Sequence, residues 1–150
     1  MGDTASLSRV LTLVFSDLTD STALKSKQGD RAVGELISRH REHVRRLASE
    51  SDGRIIDWAG DGCFLTFETP SAAARFALRL QQVHAAERDL PAVRLGLHMG
   101  EVTERGGPDA SSGSPRVEGL AVDLAARMSA IARPGQVLAS APSSTASGSG

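Results

Sequence analysis

The sequence predicts an α+β domain, an antiparallel sheet with helices packed on one face. Three observations carry this. The runs Arg54 to Trp58 and Cys63 to Phe67 are strand-like and joined through Gly60-Asp61-Gly62, whose glycines tolerate a tight turn, so together they read as a hairpin. A long helical pattern precedes the hairpin and a second one follows it. Outside those helices stand two more strand patterns, Val10 to Phe15 and Val93 to Val102. The order strand, helix, hairpin, helix, strand closes most simply as a ferredoxin-like βαββαβ sheet with its first strand beside its third.

Composition bounds what such a domain does. With 150 residues, 40% hydrophobic and 23% charged, the chain can bury one core without staples. A formal charge of -1 argues against a nucleic-acid partner held by bulk electrostatics. The single cysteine, Cys63, excludes an internal disulfide and fits a reducing compartment; beside the turn it reads as a small strand residue rather than a nucleophile. No signal-peptide pattern and no apolar run long enough for a membrane span is found, so the expected location is cytoplasmic, with no membrane contact from these residues unless a further part of the protein anchors them.

Taken in order, residues 1–8 are small and polar and are expected to be disordered, with the domain proper at 9–140. Val10 to Phe15 is β-branched or apolar at nearly every position, as in a central strand covered on both faces. That pattern stops at Asp17. Asp20, Ser21 and Thr22 favour a helix start, and a helix N-terminus at a strand end favours anions. In the predicted topology the end of the first strand lies next to the start of the third, so Asp17 and Asp61 converge. Two carboxylates facing a phosphate-binding helix N-terminus repel unless cations sit between them, and hard divalent ions are the expected occupants. This is the layout of a two-metal phosphoryl-transfer site.

Thr22 to Ser51 reads as helix, broken near Gly29-Asp30, with Val33, Leu36, Ile37, His40, Val44 and Leu47 on one face. The opposite face, Arg39, Arg41, Glu42, Arg45, Arg46 and Glu50, reads as solvated, with a partner surface as the alternative. His40 is expected in the core, since no second histidine or cysteine offers it a metal pair. Pro70 and Ser71 start a helix to about Glu87, with an inner stripe of Ala74, Ala77, Leu78, Leu80 and Val83. The strand at Val93 carries Arg94 at its outer end and His98 as a structural residue. Residues 103–116 are too polar and glycine-rich to pack and form a loop or hairpin tip. A third helix, Gly119 to Arg133, turns Leu120, Val122, Leu124, Ala125, Met128 and Ile131 mostly inward; Pro134-Gly135 stops it before a closing strand, Gln136 to Ser140. Residues 141–150, rich in Ser, Gly and Ala, read as a flexible tail.

Phe15-Ser16-Asp17-Leu18-Thr19-Asp20-Ser21-Thr22, Gly60-Asp61-Gly62, Leu97-His98-Met99-Gly100-Glu101 and Val122-Asp123-Leu124-Ala125-Ala126-Arg127 follow the order and spacing of class III nucleotidyl (adenylate/guanylate) cyclases, and the chain resembles that family over most of its length. The resemblance implies conversion of a nucleoside triphosphate to a 3′,5′-cyclic nucleotide and pyrophosphate, with two Mg2+ or Mn2+ ions per site on Asp17, Asp61 and the Leu18 carbonyl. Leu18, Thr19, Asp20, Ser21 and Thr22 would hold the β and γ phosphates through amides and hydroxyls. Arg127 matches the family's transition-state arginine and Asp123 stands where the family has an asparagine. In such proteins the arginine helix and the metal aspartates serving one substrate come from different subunits, and the arm at 103–116 reaches across, which implies a homodimer with sites at its interface.

Departures from the pattern fall on base recognition. Asp57 occupies the position of the adenine-reading lysine, and Arg116 that of its aspartate or threonine partner. Asp57 and Arg116 could complement guanine, could pair with each other and leave a weak or non-catalytic regulatory domain, or could admit a pyrimidine triphosphate. Asp123 near ribose and α-phosphate would repel substrate unless protonated or metal-bound. Family members also continue past the closing strand with a further strand pair that bears a triphosphate-contacting lysine, where this sequence turns to low-complexity residues.

Overall fold

The computed structural model describes residues 6–19, 21–105 and 116–140, with the backbone alone at 21–23 and 25. The elements run β1 (Leu7–Leu18), α1 (Ser21–Gln28), α2 (Asp30–Glu50), β2 (Arg54–Ala59), β3 (Gly62–Phe67), α3 (Pro70–Ala86), β4 (Val93–Arg105), β5 (Arg116–Glu118), α4 (Leu120–Ile131) and β6 (Val137–Ser140). The sheet order is β2-β3-β1-β4-β5, antiparallel throughout, and β6 lies parallel beside β4. The α+β sheet with β1 between β3 and β4 is the predicted one.

The helices, however, are divided between two faces rather than packed on one. Alternation along β1 makes the reason plain. Val14 and Leu18 join Leu65, Phe67, Leu95 and the buried sides of α2 and α3 in one core. Leu11 and Leu13 join Phe64, Val102, Val117 and Ala121 and Ala125 of α4 in another. β1 is therefore covered on both sides, as its nearly continuous apolar and β-branched run requires, and the cover on the second side is α4. Closeness there depends on glycine: a Cβ on Gly96 would stand 2.2 Å from the Ser129 amide nitrogen, and one on Gly100 2.7 Å from the Cβ of Ala121.

Local agreement with the sequence varies. The α2 stripe is buried as expected, with Gly29, at φ 88, as the joint between α1 and α2. Pro70 opens α3, capped by the Thr69 hydroxyl, which accepts from the Ala72 amide at 3.2 Å. Its buried stripe is Ala73, Phe76, Ala77, Leu80 and His84; Ala74 and Leu78 face solvent, so the expected stripe is rotated. On α4, Leu120 and Ile131 are also exposed rather than inward, at 73% and 69%. β1 begins at Leu7, pairing Leu7 and Ser8 with Glu104 and Thr103, so these two residues are strand rather than disordered terminus. Residues 1–5, the loop tip at 106–115 and the tail at 141–150 lie outside the described residues.

Candidate active site

The β2–β3 connection is a two-residue loop, since Ala59 pairs with Gly62. Gly60 has φ 60 while Asp61 is not among the residues with positive φ, the sign pattern of a type II′ hairpin turn with glycine first. The turn abuts β1 through Ser16 opposite Cys63. Gly62 makes that approach possible: a Cβ there would lie 2.9 Å from the Ser16 carbonyl oxygen. Asp17 and Asp61 thus meet, with the Asp61 carboxyl within hydrogen-bonding reach of Asp17.

Their meeting shows in the acidity of Asp17. Burial and the neighbouring Asp61 both push its pKa above the ordinary carboxylate value, and Arg94, whose Nη2 donates to Asp17 Oδ2 at 3.0 Å, pulls it back only in part. Carboxylates this close are stable with a proton or a cation between them, and a pair of hard oxygen donors beside a cavity suits Mg2+ or Mn2+. The residues present fit the ions that the sequence implies.

Asp17 opens into a cavity of about 720 Å³ between the sheet and α4. Its floor includes Phe15 and Phe64, stacked with ring centroids 4.5 Å apart. The strand pairing shifts between Ile55 and Asp57, a bulge after which both Ile56 and Asp57 line the cavity. Arg116 and Glu118 of β5 and Val122, Ala126 and Ser129 of α4 complete the wall. Asp57 and Arg116 thus share one cavity, and no ion pair joins them among the described residues.

Arg94 belongs to this site, although its sequence position had suggested only a strand end. It sits opposite Asp17 across the β1–β4 ladder, and its Nη1 donates to the Ala130 carbonyl of α4 at 3.3 Å. The signal was present in the topology, because the start of β4 must lie beside the end of an antiparallel β1.

Other expected residues fall elsewhere. Thr19 gives both its donors to one acceptor: its amide and its hydroxyl reach the Ala92 carbonyl at 3.0 and 2.9 Å. It fastens the end of β1 to the segment before β4 and does not offer those groups to phosphate, which corrects the expectation. The Leu18 side chain is buried in the core, leaving its main chain as the only part that could face a ligand. Asp20 lies outside the described residues, as do the side chains of Ser21 and Thr22; their backbone opens α1 directly after β1. Asp123 and Arg127, one helical turn apart on α4, are exposed and are not among the residues lining the cavity of their own chain. His98 is buried at 6% exposure with its Nδ1 2.9 Å from the Ser140 hydroxyl, a structural partner. Cys63 is buried too, which pushes its thiol up to about 12 and makes it inert at neutral pH.

Both the sequence and the fold have known counterparts. The family described as the adenylate and guanylate cyclase catalytic domain matches residues 5–147. An adenylate cyclase of Glutamicibacter nicotianae is 30% identical over 85% of this chain and 30% of its own length. One from Streptomyces coelicolor is 29% identical over 91% of this chain and 34% of its own. The chain therefore spans about a third of the length of these relatives. The adenylyl cyclase CyaB of P. aeruginosa superposes with a TM-score of 0.75 at 23% identity, over 91% of this chain and 79% of that one. The guanylate cyclase domain of RhGC from Catenaria anguillulae, solved with GTP, gives 0.77 at 20% identity, over 89% and 80%. With this match over nearly its whole length, the chain belongs to the adenylate and guanylate cyclase catalytic domain family.

Proposed function

We propose that this domain is a nucleotidyl cyclase that converts a nucleoside triphosphate to its 3′,5′-cyclic monophosphate and pyrophosphate. The observation that carries the reading is the approach of Asp61 to Asp17, which itself lines a cavity large enough for a nucleotide. In the reaction the ribose 3′-oxygen bonds to the α-phosphorus as the bond to the β-phosphate oxygen breaks, and the hydroxyl proton is released. Asp17, Asp61 and the Leu18 carbonyl would hold two Mg2+ or Mn2+ ions, which when bound acidify the hydroxyl and neutralise the leaving group.

The chain's own residues supply the rest. The backbone amides opening α1 would hold the β and γ phosphates. Arg94 would turn from Asp17 toward phosphate oxygens once that carboxylate is neutralised, since a guanidinium pairs with either anion. Arg127 points into solvent on α4 and would serve the site of a second copy, where a fixed guanidinium near the α-phosphorus counts most as charge builds. Asp123 lies on the same exposed side, so the site of each copy would be completed by the other, in a homodimer.

Asp57 and Arg116 are the base-reading pair in this proposal. The Asp57 carboxylate would accept from N1 and the exocyclic amine of guanine while Arg116 donates to O6 and N7, a match that adenine does not offer. That the two stand in the cavity without pairing with each other supports a role in binding over mutual neutralisation. The relatives named as adenylate cyclases favour ATP instead. Incubation with ATP, GTP, CTP or UTP and Mn2+ separates these readings: cyclic GMP is the expected major product. Asp17→Ala and Asp61→Ala are each expected to remove product, on the order of a thousandfold or more for the loss of a metal-holding carboxylate. Activity that survives both would overturn the mechanism. No product from any nucleotide would leave a nucleotide-binding regulatory module.

A further inference from the structure

Asp61 sits on a turn that nothing in the hairpin itself obliges to stay beside Asp17. The two carboxyls repel when both are ionised, and a two-residue loop has a ready escape. Turning over the peptide plane between Gly60 and Asp61 exchanges the type II′ turn for type I′, which aspartate tolerates at positive φ. Because that peptide is planar, the direction of the Gly60 carbonyl and the direction in which Asp61 projects are set together. Whatever holds the Gly60 carbonyl holds Asp61.

That carbonyl is held from α2. The Nη2 of Arg41 donates to Gly60 O at 2.6 Å. Arg41 is itself fixed by Trp58, two residues before the turn, with the guanidinium carbon 4.9 Å from the indole ring centre; Arg45, one helical turn on, lies at 5.4 Å from the same ring. The Nε of Arg41 is buried with no partner among the described residues, so the guanidinium is held there by the ring and the Gly60 carbonyl. Trp58 faces α2 while Asp57 faces the cavity, so one strand carries both the platform for the clamp and a wall of the site.

We propose that Arg41 is a positioning residue for the metal-holding turn: by fixing the Gly60–Asp61 peptide plane, with Trp58 as its platform, it keeps Asp61 against Asp17 before any cation arrives. The proposal rests on the reading of Asp17 and Asp61 as cation-holding carboxylates, and its effect belongs to metal affinity rather than to the chemical step. Mn2+ binding to the full chain, followed by electron paramagnetic resonance of the free ion, tests it alongside thermal melting. Arg41→Ala is expected to weaken Mn2+ binding about tenfold, the scale seen when a group supporting a metal ligand is lost, with the melting midpoint unchanged. Arg41→Lys, which keeps a donor in reach, should recover part of the loss. In turnover the same variants should raise the Mn2+ concentration for half-saturation and leave kcat at saturating metal within about twofold, a split that a general packing defect does not produce. Wild-type affinity in Arg41→Ala overturns the proposal and leaves the metal reading intact. Loss of affinity in step with a lowered melting midpoint also overturns it, since the residue would then only support the fold. Wild-type chain that shows no Mn2+ binding sensitive to Asp17→Ala overturns the metal reading and the clamp with it.

Discussion

His40 and His84 form the most consequential polar pair outside the site. His84 Nδ1 donates to the Pro91 carbonyl at 2.7 Å, which leaves its Nε2 bare to accept from His40 Nδ1 at 2.9 Å. His40 is fully buried and its Nε2 has no partner among the described residues, so burial, then the neighbouring His84, lowers its pKa to about 3; burial lowers that of His84 as well. Both rings are held neutral in the fold and become free to protonate on unfolding. The sign follows: their contribution is complete above the unfolded histidine value near 6.5 and is lost as pH falls from there toward 3. Urea unfolding at pH 5 should give a free energy about 2 kcal/mol below that at pH 7 from His40 alone. Stability equal at the two pH values would contradict the neutral pair. The sequence placed His40 in the core through its spacing on α2, but the 44 residues separating it from His84 hid the pairing. Arg41 was hidden similarly: its place on a charged face read as solvated, because the turn it reaches comes near only after the sheet has formed. Thr19 looked like a phosphate ligand because a hydroxyl at a helix start usually faces outward, and only the position of Ala92 shows otherwise.

Among the elements, legibility tracked side-chain size. On α2 large apolar residues alternate with charges, and the buried face could be read directly. On α3 and α4 alanine occupies both inner and outer positions, so the stripe could be rotated without offending the pattern; Leu78, Leu120 and Ile131 were misplaced for that reason. What seats α4 is a pair of glycines on β4, whose purpose a sequence does not declare. Gly96→Ala would drive a methyl into the backbone of Ser129 and Met128, at 2.2 and 2.7 Å, and neither can yield without moving the helix. The expected loss is about 2 kcal/mol or more in denaturant unfolding. Gly34, inside α2, is the contrast, since a Cβ added there would meet nothing within 4 Å: Gly34→Ala should stabilise by up to about 1 kcal/mol. Equal effects at the two glycines would mean that α4 is not held by close approach.

At the scale of the molecule, the exposed side of α4 collects Leu120, Asp123, Arg127 and Ile131 at helical spacing, two large apolar groups around the residues expected to serve a neighbour. If each copy lends Arg127 to the other, inactive Asp17→Ala and inactive Arg127→Ala chains should restore activity when mixed. Random pairing makes half the dimers mixed, each with one intact site, so about a quarter of wild-type activity is expected. A mixture no more active than its components would place each site wholly within one chain. The sheet itself has a further effect through its two separate cores. It works as a bulkhead, with α2 and α3 in one compartment and α4 in the other, and Arg94 is a strap inside the second compartment, from Asp17 to the last turn of α4. A push on the outer helix from anything docked against it is felt at the acid first and at the opposite compartment last.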